Sequence, residues 1–465
     1  MTDLLLTHGY FLDDDPKERE VMKPYPPLGL LYVAAYVGRA GLSVEVFDTT
    51  FATREALVAR LSQAPASVLG IYTNLITRAS VLGIVTQAKA RGWTVVLGGP
   101  EAANYPAEYL ASGADVVVFG EGEETMVELL AALDARGPHR LQGIAGTAFL
   151  DESGALVTNP DRPQIRDIDA LPWPDRDAID IQRYVDVWRT HHGTGSVNLI
   201  TARGCPYRCR WCSHAVFGYT HRRRSVAGTA DELQFLLERY RPDIVWYADD
   251  VFTIHHRWLT EYAAELERRQ IRVPFETISR ADRMMQDDVL RTLADMGCWR
   301  IWIGAESGSQ RILDAMERGV TVEQVLFATR AAKRYGIQVG MFLMWGYDGE
   351  TVDDIAATVD LVRSADPEVF LTTVAYPIKN TPYFGALGDR VVPTRAWAKA
   401  TDRDYDVSGR YPRELYRHAD RWLRQEVESH RLGATRGAAA RAEALKARAA
   451  LLALAGGTTS SGGSR

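Results

Sequence analysis

The sequence predicts an α/β chain in three parts: a doubly wound amino-terminal domain, a partial (β/α)6 barrel and a helical carboxyl-terminal region. Three observations predict it. Short apolar runs alternate with amphipathic stretches over the first 140 residues, the rhythm of a parallel sheet covered by helices. A second βα series of six strand-like runs begins near residue 197. Beyond residue 414 the chain turns Ala-, Arg- and Leu-rich, with helical composition.

In the first series, residues 4–7, 43–47, 68–72, 94–97 and 116–119 read as buried strands. Residues 30–40, 54–62, 80–91 and 125–136 read as the helices between them. Gly98-Gly99-Pro100 and Gly120-Glu121-Gly122-Glu123 follow predicted strands, which places them on the carboxyl edge where doubly wound sheets bind ligands. Asp151-Glu152-Ser153-Gly154 reads as a hairpin turn, and the prolines of 159–163 and 171–174 mark a linker with some β structure. The second series takes its strands from 197–202, 244–247, 273–278, 300–304, 339–344 and 369–373. Residues 414–432 and 433–454 read as helices, and the Gly/Ser/Thr-rich end as disordered. The expected division is a Rossmann-like domain over 1–140, a linker over 141–190, the barrel over 191–384, a helical region over 385–455 and a tail over 456–465.

The chain has 465 residues, is 46% hydrophobic and 25% charged, and so has the composition of a soluble globular protein with substantial cores. A net charge of −6 gives no reason to expect nucleic acid as the partner. The opening run Met1-Thr2-Asp3-Leu4-Leu5-Leu6 reads as a first strand, not a signal peptide, and no apolar run has membrane-spanning length. Four cysteines, three of them clustered, do not make a disulfide framework, so a cytoplasmic location is expected.

Those three cysteines carry the chemistry. Ala202-Arg203-Gly204-Cys205-Pro206-Tyr207-Arg208-Cys209-Arg210-Trp211-Cys212 groups three thiolates as CxxxCxxC. A structural zinc site wants four N/S ligands, and the fourth cysteine, Cys298, lies far along the chain. Thiolates also ligate iron–sulfur clusters, and a four-iron cluster on three cysteines keeps one iron open. The loop follows the first strand of the second series, at the strand end where barrel enzymes place their chemistry. The spacing, with Trp211 before the last cysteine, resembles the radical S-adenosylmethionine (SAM) superfamily, whose open iron chelates SAM. Other strand ends offer candidate partners. Glu306, in Gly304-Ala305-Glu306-Ser307-Gly308, can accept from a ribose or an ammonium group, or cap a helix. Arg280 or Arg318 can hold the SAM carboxylate, or form an ordinary ion pair. Asp249 faces the site or caps the next helix. Cys298 reads as a buried small hydrophobe, His255 and His256 as capping or surface groups, and the run His221-Arg222-Arg223-Arg224 either steers an anionic substrate or SAM or is a solvated turn with local carboxylate partners.

From Tyr25 to about Phe384 the order of motifs resembles the cobalamin-binding radical SAM enzymes. The motifs are Tyr25-Pro26-Pro27-Leu28-Gly29-Leu30, Gly98-Gly99-Pro100-Glu101, Gly120-Glu121-Gly122-Glu123, Asn159-Pro160-Asp161-Arg162-Pro163, the cysteine loop, Glu306-Ser307-Gly308-Ser309 and Met316-Glu317-Arg318-Gly319. The resemblance implies three cofactors: a [4Fe-4S] cluster on Cys205, Cys209 and Cys212, SAM, and cobalamin. It implies a SAM site of Trp211, Asp249, Arg280, Glu306, Ser307 and Arg318. For cobalamin it implies Pro27, Leu28, Gly29, Gly98, Gly99, Glu101, Gly120, Glu121, Gly122 and Glu123. The cobalt-ligating Asp-x-His-x-x-Gly triplet is missing, so cobalamin is expected without a histidine ligand, its lower face toward Asn74 and Leu75.

The activity that the resemblance implies is C-methyl transfer to an unactivated carbon of a small-molecule substrate, through a 5′-deoxyadenosyl radical and methylcobalamin. An external one-electron donor such as flavodoxin or ferredoxin would serve such a methyltransferase. The alternatives are an oxidative cyclase or ring-rearranging enzyme on the same cofactors, and a non-enzymatic cobalamin or iron–sulfur sensor. A methylthiotransferase fits poorly, because residues 1–204 hold no cysteine for a second cluster.

Overall fold

A computed structural model describes residues 2–63, 65, 67–134 and 141–459. The end of the predicted helix 125–136, at 135–136, and the expectation placed on 460–465 lie outside the described residues. The chain forms two compact units. The first takes the chain up to Pro206, Ser213–Trp246 and Pro393–Asp404; the second takes Tyr207–Cys212, Tyr247–Val392 and the chain from Tyr405 onward.

In the first unit, strands β1 (Leu4–His8), β2 (Val44–Phe47), β3 (Val68–Tyr72), β4 (Thr94–Gly98) and β5 (Val116–Val118) lie in the order β2-β1-β3-β4-β5. Their pairings are parallel. This is a doubly wound order that reverses direction between β1 and β3, the switch point where such sheets bind ligands. The strands inside the β2 edge are buried because their apolar runs are covered by helices, Leu28–Arg39 and Arg78–Lys89 among them. The expected linker does more than connect. Its hairpin, β6 (Thr147–Leu150) and β7 (Leu156–Thr158), pairs antiparallel onto β5 and extends the sheet to seven strands. An open strand edge is thereby closed by the nearest chain with β propensity. The same unit holds β8 (Ser196–Leu199), the short antiparallel pair β9 (Ala202–Arg203) and β10 (Arg222–Arg223), and all but the last residue of β11 (Ile244–Tyr247), which pairs with β8.

The second unit continues the βα series. Strands β12 (Phe275–Ser279), β13 (Cys298–Glu306), β14 (Gln338–Trp345) and β15 (Val369–Val374) are parallel neighbours in chain order. Successive parallel strands with intervening helices, such as Val322–Arg334 and Val352–Ala365, are the repeat of a (β/α) barrel. The helical end comprises Arg413–Arg436 and Ala438–Thr459, so helix continues past Gly456, where the composition reads as disordered.

Candidate functional site

In the first unit a cleft of about 810 Å3, partly open to solvent, lies at the carboxyl edge of the seven-stranded sheet. Gly29, Gly98, Gly99, Gly120, Glu121, Gly122 and Glu123 line it. Gly98 ends β4 with nothing within 4 Å of where a Cβ would stand, so its missing side chain leaves space in the cleft. Gly99 is glycine for another reason. Its φ of +96° is left-handed, and a Cβ would stand 2.3 Å from the Thr73 carbonyl oxygen. The other five expected contacts do not line the cleft. Leu28 is buried at the start of its helix, and Pro27 caps it. Asn74 accepts from the Ile76 amide at 3.1 Å, holding the turn before helix Arg78–Lys89, and Leu75 belongs to that turn. Glu101 accepts from Arg78 Nε at 2.6 Å, and Arg78 Nη2 donates to Asp402 Oδ1 at 2.9 Å. That buried ion triplet removes the Glu101 carboxylate from the cleft, because the Arg78 charge must be matched inside the fold.

The glutamates that do line the cleft are also paired. Arg203 Nη1 donates to Glu121 Oε1 at 2.7 Å and its Nη2 to Glu123 Oε1 at 2.6 Å. Arg222 Nη1 donates to Glu121 Oε2 at 2.6 Å. The Arg203 guanidinium stacks over the rings of Tyr32 and Phe217, centroids 4.8 and 5.5 Å away. Two residues before Cys205, Arg203 thus locks the stem of the cysteine loop to the Glu121-Gly122-Glu123 turn. Sequence reading missed Arg203, Tyr72, Val216 and Phe217, all cleft walls; the one available signal was a cation directly before Gly204-Cys205. His8 ends β1 with Nε2 2.9 Å from Asp48 Oδ1 and Nδ1 2.9 Å from Thr49 Oγ1. Both ring nitrogens are occupied, and His8 does not line the cleft.

In the second unit Cys209 is buried and Cys212 exposed; these two, Cys205 and Cys298 are all free thiols. The Arg210 amide donates to the Met316 carbonyl at 3.0 Å, and the Tyr383 amide donates to the Arg210 carbonyl at 2.9 Å. Trp211 packs on the apolar cluster of Ile312, Met316, Met344, Tyr347 and Tyr383. Arg280, just past β12, and Arg318 each place Nη1 3.8 Å from Cys209 Sγ. Glu306 ends β13 at a register shift, with φ of +60°, a left-handed conformation costly for a side-chain-bearing residue. Its carboxyl is pushed up by burial, against the pull of Arg318 and Arg280, and it stands 3.8 Å from Arg318 Nε. Ser307 is spent on the fold, its hydroxyl 3.2 Å from Thr358 Oγ1 and accepting from the Ser309 amide. Asp249 is buried directly after β11. Cys298 is buried, and burial pushes its thiol up. Among the described residues no three His, Cys, Asp or Glu side chains form a metal-binding group. The donors nonetheless fit a thiolate-bound, anionic centre: none of the three thiols is in a disulfide, and two guanidinium groups face one of them. The apolar, glycine-walled cleft fits a bulky organic cofactor.

Residues 19–130 match the B12 binding domain model, and residues 199–362 match the Radical SAM superfamily model. Both lie on one chain, in the order of the sequence motifs. The chain belongs to the cobalamin-binding radical SAM enzymes. The enzyme is 28% identical over 389 residues to an uncharacterized methyltransferase of Pyrococcus horikoshii, covering 82% of either chain. It is 25% identical over 381 residues to the anaerobic magnesium-protoporphyrin IX monomethyl ester cyclase of Rubrivivax gelatinosus, covering 80% of this chain and 68% of the relative. In fold it is similar to the radical SAM methyltransferase TsrM of Kitasatospora setae, solved with cobalamin and a [4Fe-4S] cluster. That match has a TM-score of 0.69 at 20% identity, over 83% of this chain and 75% of TsrM. The cofactors of this enzyme are cobalamin, a [4Fe-4S] cluster and SAM. Among the described residues no helix is long and apolar enough to cross a membrane.

Proposed function

We propose that the enzyme is a C-methyltransferase that methylates an unactivated carbon of a small molecule in the cytoplasm, fed by an external one-electron donor such as flavodoxin or ferredoxin. One observation carries this reading: a cobalamin-type cleft and a single three-cysteine loop share one chain whose fourth cysteine is buried in a strand. When bound, the cluster and SAM supply a 5′-deoxyadenosyl radical, and cobalamin supplies the methyl group. In this reading Cys205, Cys209 and Cys212 hold the cluster. The apolar walls of the cleft exclude water from the organic cofactor. Glu306, fixed at a strand tip in a strained conformation, accepts from the ribose or ammonium of SAM. Arg318, whose Nε donates to no protein acceptor, is free to meet the SAM carboxylate. Arg280 is not: its Nε and Nη2 donate to Asp282 and to the Arg318 carbonyl.

Glu306→Ala is expected to weaken SAM binding by tens-fold, since losing a charge-assisted contact in a desolvated site costs on the order of 2 kcal/mol. Equilibrium SAM binding to reconstituted protein measures this, with the cluster absorbance unchanged; full affinity in the variant moves the anchor elsewhere.

The product test uses metabolite extracts incubated with deuterated-methyl SAM. Methyl transfer yields a product bearing the label on carbon, with 5′-deoxyadenosine and S-adenosylhomocysteine in nearly equal amounts, because two SAM serve each turnover. The similarity to an anaerobic cyclase supports a second reading, oxidative cyclisation or ring rearrangement. Substrate-dependent 5′-deoxyadenosine without S-adenosylhomocysteine and without label would replace the first reading by the second.

A further inference from the structure

Cys209 Sγ is the acceptor of two guanidinium groups, Arg280 Nη1 and Arg318 Nη1, each at 3.8 Å. Both arginines are buried, at 2% and 7% exposure, so solvent screens neither charge. Both are fixed by the protein alone. Arg280 Nε donates to Asp282 Oδ1 at 2.9 Å, its Nη2 donates to the Arg318 carbonyl at 2.8 Å, and its Cζ lies 3.6 Å from the centroid of the Tyr207 ring. Arg318 Nη2 donates to the Gly304 carbonyl at 3.0 Å. Neither side chain has to move to reach the sulfur. The nearby acids meet the two arginines at Nε, Asp282 at 2.9 Å from Arg280 and Glu306 at 3.8 Å from Arg318, away from the Nη1 groups that face the sulfur.

We propose that Arg280 and Arg318 are positioning residues that set the reduction potential of the iron–sulfur cluster through N–H···S hydrogen bonds to Cys209. The proposal rests on the reading that Cys209 is a cluster ligand. Hydrogen bonds to the sulfurs and local charge are among the factors that fix such potentials. Accepting one electron from a reduced one-electron donor protein adds one negative charge to the thiolate-bound iron, with no bond made or broken. Two fixed positive donors stabilise the reduced form more than the oxidised one, so they raise the potential. They ease electron entry before any cofactor or substrate is placed.

The test is an EPR-monitored redox titration of the reconstituted full-length enzyme. Arg280→Gln and Arg318→Gln are each expected to shift the one-electron equilibrium about tenfold toward the oxidised cluster, which is about 59 mV more negative. Arg280→Lys, which keeps the charge but loses the planar fork, is expected to shift less than Arg280→Gln. Arg257→Gln, at an exposed helix position, is expected to leave the potential in place. Unmoved potentials in both Gln variants overturn the proposal, as does an equal shift in the Arg257 control. If Arg280→Gln fails to hold a cluster, the Arg318→Gln potential decides alone. A Cys209→Ala protein that keeps its cluster refutes the ligand assignment instead, a result separate from any potential.

Discussion

Changing any one of Cys205, Cys209 or Cys212 to Ala is expected to leave anaerobically reconstituted protein without its four-iron cluster, while Cys298→Ala keeps it in full. Three thiolates are the fewest that hold the cluster with one iron open, so no spare ligand compensates a loss. Cys298 cannot substitute. It is buried at the start of β13, its Sγ 3.5 Å from the Arg300 carbonyl, and burial keeps its thiol protonated. Its replacement removes one buried sulfur, at a stability cost of about 1 kcal/mol. Iron analysis and the visible absorbance band measure the outcome. Iron at about eight per chain, or cluster loss in the Cys298 variant, sinks the assignment.

The second large effect is expected at the end of β4. Gly98→Leu should abolish hydroxocobalamin binding while the protein stays folded, because its Cβ meets nothing within 4 Å and the new side chain fills the cleft. Gly99→Val is a different experiment. A side chain there clashes with the Thr73 carbonyl and the Tyr72 ring and must adopt φ of +96°, so it strains the fold before it touches a cofactor. Comparing the two separates exclusion of the ligand from damage to the sheet edge. Hydroxocobalamin absorbance after desalting, read beside a thermal melt, measures both. A Gly98→Leu protein that binds hydroxocobalamin normally would show that the cleft is not the cobalamin site.

Strand and helix types, the two βα series and the cluster-binding loop were legible in the sequence because each is a local property, while the full cofactor set came from the resemblance that the order of motifs carries. Apolar periodicity is set by residues a few positions apart, and a cluster-binding loop by three cysteines within eight residues. The roles of the charged motif residues were not legible. Glu101 reads as part of a ligand-binding turn, yet it belongs to an ion triplet that Arg78 completes with Asp402, 324 positions on. Glu121 and Glu123 read as cofactor contacts, yet both receive Arg203 from 80 or more positions away. Arg280 and Arg318 read as equivalent SAM anchors until the structure fills the donors of one and leaves Nε of the other without a hydrogen-bond acceptor. Their shared acceptor, Cys209, lies 71 and 109 positions back. A buried charge must find an opposite charge or a hydrogen bond wherever the fold brings one. Sequence spacing carries no record of that partner, so the tertiary structure alone decided which motif residues are spent on holding the protein together.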